Sequence, residues 1–394
     1  TNLGSPPASN VDFLQDGLGQ PSIWKANLAF EHELPWWGVV AGIEYLYTKT
    51  ETGIFYKHLN LGAPTRTGTD GRDLFYTATA FNPVCWTPGG ARLTTGAICS
   101  VNNRNRALSN PGFNNVLIAS KTREGEGNLA TVSLSRPMKN NWSWSLSYTY
   151  TDATEVSGLT SSVSNSNWAS RAIFSPNETG AANSVYLVKD RINGTMNWRH
   201  NFFKGLKTEI GFFVEGRSGK PYSWTYSNDA NGDGLAGNDL MFVPKSFGSG
   251  EVVFLGDTAT GKANEEAFWK IVNANGGLSN ARGGITQRNS SFSPWTNSID
   301  MRISQQLPGF FKDHKATFVF DVLNVGNLLN KKWGRIDEIR FQSNGGQPRS
   351  FVNVVGLDAA GRYIYSVGNV DDFTTRQQRG ESQWALQATL RYEF

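Results

Sequence analysis

The residues best equipped for chemistry lie in one stretch, Asn228-Asp229-Ala230-Asn231-Gly232-Asp233-Gly234-Leu235-Ala236-Gly237-Asn238-Asp239. It fits two patterns. "GDGLAG" matches G-x-G-x-x-G, which cradles a pyrophosphate when it follows a buried strand and opens a helix. "DANGDG" matches the start of a calcium loop, with Asp229, Asn231 and Asp233 at positions 1, 3 and 5 and Gly234 at the sharp turn. Leu235 then offers its backbone carbonyl at position 7. Leu240 stands where a bidentate Glu belongs, and Asp239, one residue earlier, is its replacement in this reading. Pro221, Asn228, Asp229 and Gly237 surround the stretch, and no helical period follows until about Glu265–Val272. The nucleotide pattern is therefore a coincidence of a glycine-rich loop. The expectation is a Ca2+ ion that orders a long loop, and the alternative is an Asx-rich turn without an ion.

Other reactive groups are sparse. Cys85 and Cys99 are the only cysteines and stand 14 apart among Pro83, Trp86 and Pro88, which favours a disulfide closing an exposed loop. The four His residues share no ligand spacing, and G-x-S-x-G, H-E-x-x-H and C-x-x-C are missing. Carboxylates Asp190, Glu209, Glu215, Asp300 and Asp321 are assigned to the inner side of strands, interleaved with Arg191, Arg199, Lys207, Arg217, Arg302 and Arg391. Paired carboxylates serve glycosidases. Mixed charge is explained more simply by a polar wall that pairs with itself, so no catalytic residue and no enzyme is expected.

The elements that must position these groups have a period of two. In "SQWALQATLRYEF", Trp384, Leu386, Ala388, Leu390, Tyr392 and Phe394 alternate with polar residues to the last position. "NWSWSLSYTY" alternates aromatics with Ser and Thr in the same way. Short turns are expected at 34–37, 137–140, about 201–206 and 308–314. Long segments, at about 57–124, 153–187, 219–296 and 325–382, alternate with them. Aromatics flank the short turns (Trp36, Trp37, Trp142, Trp198, Phe202, Phe310) as an interfacial girdle requires. With 39% hydrophobic, 18% charged and 12% aromatic residues and a net charge of +4, the chain shows no nucleic-acid surface. No apolar run reaches the length of a membrane helix, which leaves a strand-built membrane wall open. The fold class expected is all-β, a transmembrane antiparallel β-barrel of about nine strands between residues 22 and 394, with long extracellular loops. Nine is odd, and open edges are costly in lipid. Residues 1–394 are therefore read as the C-terminal portion of one larger barrel.

Several stretches resemble TonB-dependent outer-membrane receptors. "FDVLNVGNLLNKKWGR" (320–335) looks like their penultimate-strand motif, and "RNSSFSPWTNSIDMRISQQLP" (288–308) with the terminal "SQWALQATLRYEF" looks like the Oar-like subgroup, whose members carry a carboxypeptidase-regulatory-like domain. "NDANGDGLAGNDLMFVP" (228–244) and "PWWGVVAGIEYLYTKTETGIFYKHLNL" (35–61) are similar to segments of the same subgroup. The resemblance implies a 22-stranded barrel of which this chain forms the last nine strands, with the plug and regulatory-like domain outside it. It also implies outer-membrane lipid, a TonB-type periplasmic energy coupler and the barrel-assembly machinery as partners, with a terminal strand ending in Tyr392 and Phe394 as the assembly signal.

The function expected is a receptor or transporter that captures an extracellular ligand (peptide, protein or glycan) with its loops and moves it through a plugged barrel. Loop aromatics Trp86, Trp168, Tyr222, Trp224 and Tyr226, with Trp269 and Trp295, are the expected ligand contacts. The alternative is a structural or adhesive outer-membrane protein whose loops bind a surface partner.

Overall fold

The computed structural model describes residues 8–91, 99, 109–203, 205–311, 313–339 and 348–394. Residues 92–98, 100–108 and 340–347 of the expected long segments lie outside the described residues.

Nine long strands form a meander. They are β1 (Ser22–Glu33), β2 (Val40–His58), β3 (Glu126–Lys139), β4 (Trp142–Glu155), β5 (Asp190–Phe203), β6 (Leu206–Arg217), β7 (Thr296–Pro308), β8 (Lys315–Leu323) and β9 (Ala385–Glu393). Each pairs antiparallel with the next in chain order. The period of two fixes the faces, because directly opposed residues in an antiparallel pair point the same way. Leu134, Leu146 and Gly194 therefore share one side, as do Phe212 and Met301. That side leaves large apolar groups uncovered, from Leu28 (77% exposed) in β1 to Leu390 (69%) in β9. A protein does not leave a continuous band of this kind to water, and hydrocarbon is the solvent that suits it.

The short connections lie at one end of the wall and the long ones at the other. Asn140 and Asn141 join β3 to β4 with φ of 53° and 69°. Two residues at positive φ make the primed turn whose twist matches a tight hairpin, and Asn tolerates that region better than other side chains. Trp36, Trp37, Phe202, Phe203, Phe310 and Phe311 ring this end and are all more than half exposed.

At the other end the wall rises into a folded assembly. β2 continues upward as the partner of strand Phe113–Thr122, in the same register that it keeps with β3 below. Strand Ser9–Leu14 lies parallel along the far edge of Phe113–Thr122. The long segments are not open loops; they supply short strands, a helix at Ala263–Ala274 and a common hydrophobic core. That core unites Leu74 from the first long segment, Trp224, Met241 and Phe268 from the third, and Phe351 and Tyr365 from the fourth. The pieces are too short to be stable alone, and burial against one another is what holds them.

Candidate functional site

The inward face of the wall is polar and its charges are matched. Arg191 meets Glu215 at 2.7 Å, Lys207 meets Glu209 at 2.9 Å with Arg199 at 3.4 Å, and Arg302 meets Asp321 at 2.6 Å. Ser145 and Thr195 are 2.6 Å apart across β4 and β5, and Thr131 and Thr149 are 2.9 Å apart across β3 and β4. Asp300 accepts the Asn324 backbone N–H at 2.7 Å. A groove of about 580 Å³ runs along this face, lined by Thr195, Glu209, Phe213, Asp300, Arg302 and Asp321 among others. Glu209, Glu215 and Asp321 each have a cation within reach, and Asp300 holds a backbone donor. Asp190 was assigned to this face and does not belong there. It pairs with Tyr150 on the outward side, at the upper rim, and its Oδ1 accepts the Tyr148 hydroxyl at 2.7 Å. The strand period, counted from Ile192, gives the same answer.

The loop aromatics named as ligand contacts turn out to be packing groups. Exposure is 9% for Trp86, 3% for Trp168, 4% for Tyr222, 1% for Trp224 and 0% for Tyr226. Trp224 sits edge-on to Tyr222 and Phe351 at 5.6 and 5.9 Å, with the Arg349 guanidinium 5.3 Å from its ring. Tyr226 and Tyr365 share a hydroxyl contact of 2.7 Å, and Asn228 exchanges two amide hydrogen bonds with the backbone of Val354 at 2.8 and 2.9 Å. Trp269 is buried as well. Of the seven aromatics, Trp295 alone stays exposed, joined on the loop surface by Tyr186, Phe247 and Trp333. Sequence spacing gave no warning, because partners such as Phe351 for Trp224, Tyr365 for Tyr226 and His58 for Trp168 lie more than a hundred residues away.

Cys85 and Cys99 are joined as expected, and they pack in a second small core with Tyr76, Ala80, Trp86, Val355 and Ile364. The disulfide therefore closes a loop within the first long segment, and packing against Val355 and Ile364 sets that loop on the fourth.

The 229–239 turn is built from side-chain caps on its own backbone. Asp229 accepts the N–H groups of Gly232 (2.6 Å) and Gly234 (2.8 Å), Asn231 accepts that of Asp233 (2.7 Å), and Asp233 accepts that of Leu235 (2.8 Å). Asp239, read as a stand-in ligand, is engaged elsewhere. Its Oδ1 faces Arg72 at 3.1 Å and its Oδ2 accepts Ala230 and Asn231 N–H. Arg72 is wholly buried, also bonds Asp70 at 3.3 Å, and lies over the rings of Phe174 and Tyr226. Burial pulls its pKa down, but Asp239 and Asp70 outweigh that and raise it. Burial pushes the Asp239 carboxyl up to about 7, with Asp233 adding to the shift and Arg72 opposing it. Burial and the neighbouring Asp233 and Asp239 raise Asp229 too. Arg72 and Asn238, both central here, were missed in the sequence because neither belongs to a metal-loop pattern.

At the short-turn end, Tyr392 is tied to the β7–β8 connection. Its hydroxyl takes the Phe310 N–H at 3.1 Å and lies 2.8 Å from His314 Nδ1, while Phe394 is 97% exposed.

A match to one protein family agrees with this architecture. A family described as "Outer membrane beta barrel domain" matches residues 1–348. The outer membrane transporter YddB from Escherichia coli is similar in structure, at a TM-score of 0.37 and 11% identity, over 98% of this chain and 35% of that one. The chain thus spans about a third of that protein's length. No curated protein matches the chain.

Proposed function

The chain belongs to the outer membrane beta-barrel domain family and is an integral outer-membrane protein; from that premise we propose that it is part of a receptor or transporter for an extracellular ligand. The observation that carries the proposal is the inward face. A ladder of ion pairs and hydroxyls, running from Thr131–Thr149 between β3 and β4 to Arg302–Asp321 between β7 and β8, is suited to water, a polar cargo or a polar plug, and not to a packed apolar core. The resemblance of segments 288–308 and 320–335 to the TonB-dependent, Oar-like receptors supports a finer reading. In it, these nine strands complete a 22-stranded barrel around a plug, a TonB-type coupler pulls on the plug, and residues 385–394 present the assembly signal. Of this chain, the exposed loop groups Tyr186, Phe247, Trp295 and Trp333 meet the ligand.

The interlocked loop core favours a second reading, an adhesive protein, because a rigid cap is a good docking surface for a partner cell or matrix. One experiment separates them. The native polypeptide, extracted from outer membranes, is weighed and tested for binding to the periplasmic domain of a TonB-type coupler. A mass well above 43.3 kDa with specific coupler binding supports transport. A mass near that value, or a heavier protein that ignores the coupler, refutes the transporter reading.

A further inference from the structure

We propose that the 229–239 turn is a binding site for one calcium-type divalent cation, held by Asp229, Asn231, Asp233 and the Leu235 carbonyl, with the side-chain oxygen of Asn238 as a ligand outside the loop pattern. The ladder of caps described above turns the carboxyl and amide oxygens of alternate residues toward the inside of one turn. The carboxylates gather closely: Asp70 and Asp239 pair with the guanidinium of Arg72, and Asp233 and Asp239 in turn act on Asp229. The independent observation is Asn238. It is fully buried, its amide nitrogen donates to Asp233 Oδ2 at 3.1 Å, and the oxygen of that same amide has no partner. An acceptor left without a donor beside a carboxylate is a costly arrangement that a cation resolves. Among the described residues no three His, Cys, Asp or Glu side chains converge on a common metal position. The set consequently draws on amide and carbonyl oxygens, and such hard, uncharged donors suit Ca2+ over Zn2+.

The ion would act as a clamp. Asn231 O accepts Phe75 N–H at 2.7 Å, Asp229 O accepts the Tyr76 hydroxyl at 2.8 Å, and Asn238 O accepts Ile173 N–H at 2.8 Å. Three of the long segments therefore meet at this turn, and ordering it orders them all.

Tyr76 also provides the assay, because a phenol touching the turn sensitises Tb3+ bound there. The folded full-length protein in detergent is titrated with Tb3+ and then with Ca2+ or Mg2+. Saturable emission at one ion per chain is expected, displaced by Ca2+ with a Kd of roughly 10⁻⁴–10⁻³ M, as for extracellular calcium modules, and poorly by Mg2+. Asp233→Asn and Asn238→Ala should each weaken Ca2+ binding at least about tenfold, since the first removes a negative charge from the coordination shell and the second removes one of its oxygens. Cations carried by residual lipopolysaccharide contribute equally to all variants and cancel in the comparison. Emission that does not saturate, or wild-type affinity in both variants, overturns the proposal. If Asp233→Asn fails to fold, Asn238→Ala decides alone, together with protease protection of wild type. Chelation must speed cleavage within residues 65–86, and an unchanged rate refutes the clamp.

Discussion

Replacing Trp224 by Ala tests whether the loop aromatics hold the assembly together or face a ligand. The ring is 1% exposed and lies between Tyr222, Phe351 and the Arg349 guanidinium. A buried Trp removes about 150–250 Å² from water, which at about 25 cal/mol per Å² is on the order of 4–6 kcal/mol. Measured Trp→Ala costs of about 3–5 kcal/mol agree with that size. The indole N–H has no hydrogen-bond partner, so removing the ring frees no buried acceptor and the whole loss is packing. Trp224→Phe keeps most of the volume and should cost roughly 1–2 kcal/mol. The assay is limited proteolysis of the folded protein in detergent, where cleavage of the long segments tracks their local opening while the wall stays intact. At about 1.4 kcal/mol per tenfold, Trp224→Ala should raise the cleavage rate by roughly two to four orders of magnitude. Trp224→Phe should raise it by about tenfold. Wild-type cleavage of Trp224→Ala would refute the assignment and return this ring to the ligand surface.

Three further perturbations separate the faces and ends of the molecule. Leu146→Arg, on the outward face, should destabilise the folded wall by about 2–4 kcal/mol, whereas Ser147→Arg, on the inward face, should leave it near wild type; equal effects in a lipid refolding titration would contradict the face assignment. Cys85→Ser with Cys99→Ser should loosen the first long segment by about 3 kcal/mol, as expected for a closed loop of this length, with the wall's melting unchanged, and faster proteolysis of residues 65–91 is the readout. Deleting Phe394, which touches almost nothing, should cut the amount of protein assembled in outer membranes several-fold while the assembled fraction melts like wild type; unchanged assembly would remove residues 392–394 from any role as a signal.

The wall could be read almost strand by strand because each strand carries its own evidence. Alternation from Trp142 to Tyr150 or from Trp384 to Phe394 is local, and the lipid and lumen faces impose it at every second residue. At Asp190 the alternation that starts at Ile192 carries to the end of the strand and puts this carboxylate on the outward side with Tyr150. The loop assembly was not legible because its order is non-local. Tyr226 finds Tyr365, Asn228 finds Val354 and Trp224 finds Phe351 across more than a hundred residues, through strands as short as two residues that leave no period. The clusters "YSWTY", "MFV" and "FVNVV" are the trace of that core, but nothing local says which cluster meets which. The metal-loop pattern found the turn and its three alternate side chains, and missed Arg72 and Asn238 because tertiary contact alone brings them there.

The shared core beneath the outward loops also constrains how this protein diverges. Surface loops that meet antibodies and phages ordinarily drift independently, each free to change length and composition. Here the residues under the exposed tips belong jointly to three segments, so a new side chain at Tyr226 is tolerated only with an accommodating change near Tyr365, far away in the gene. Variation is thereby channelled to tips such as Ala359–Ala360, which are exposed and outside the core, and the loops are inherited as a set.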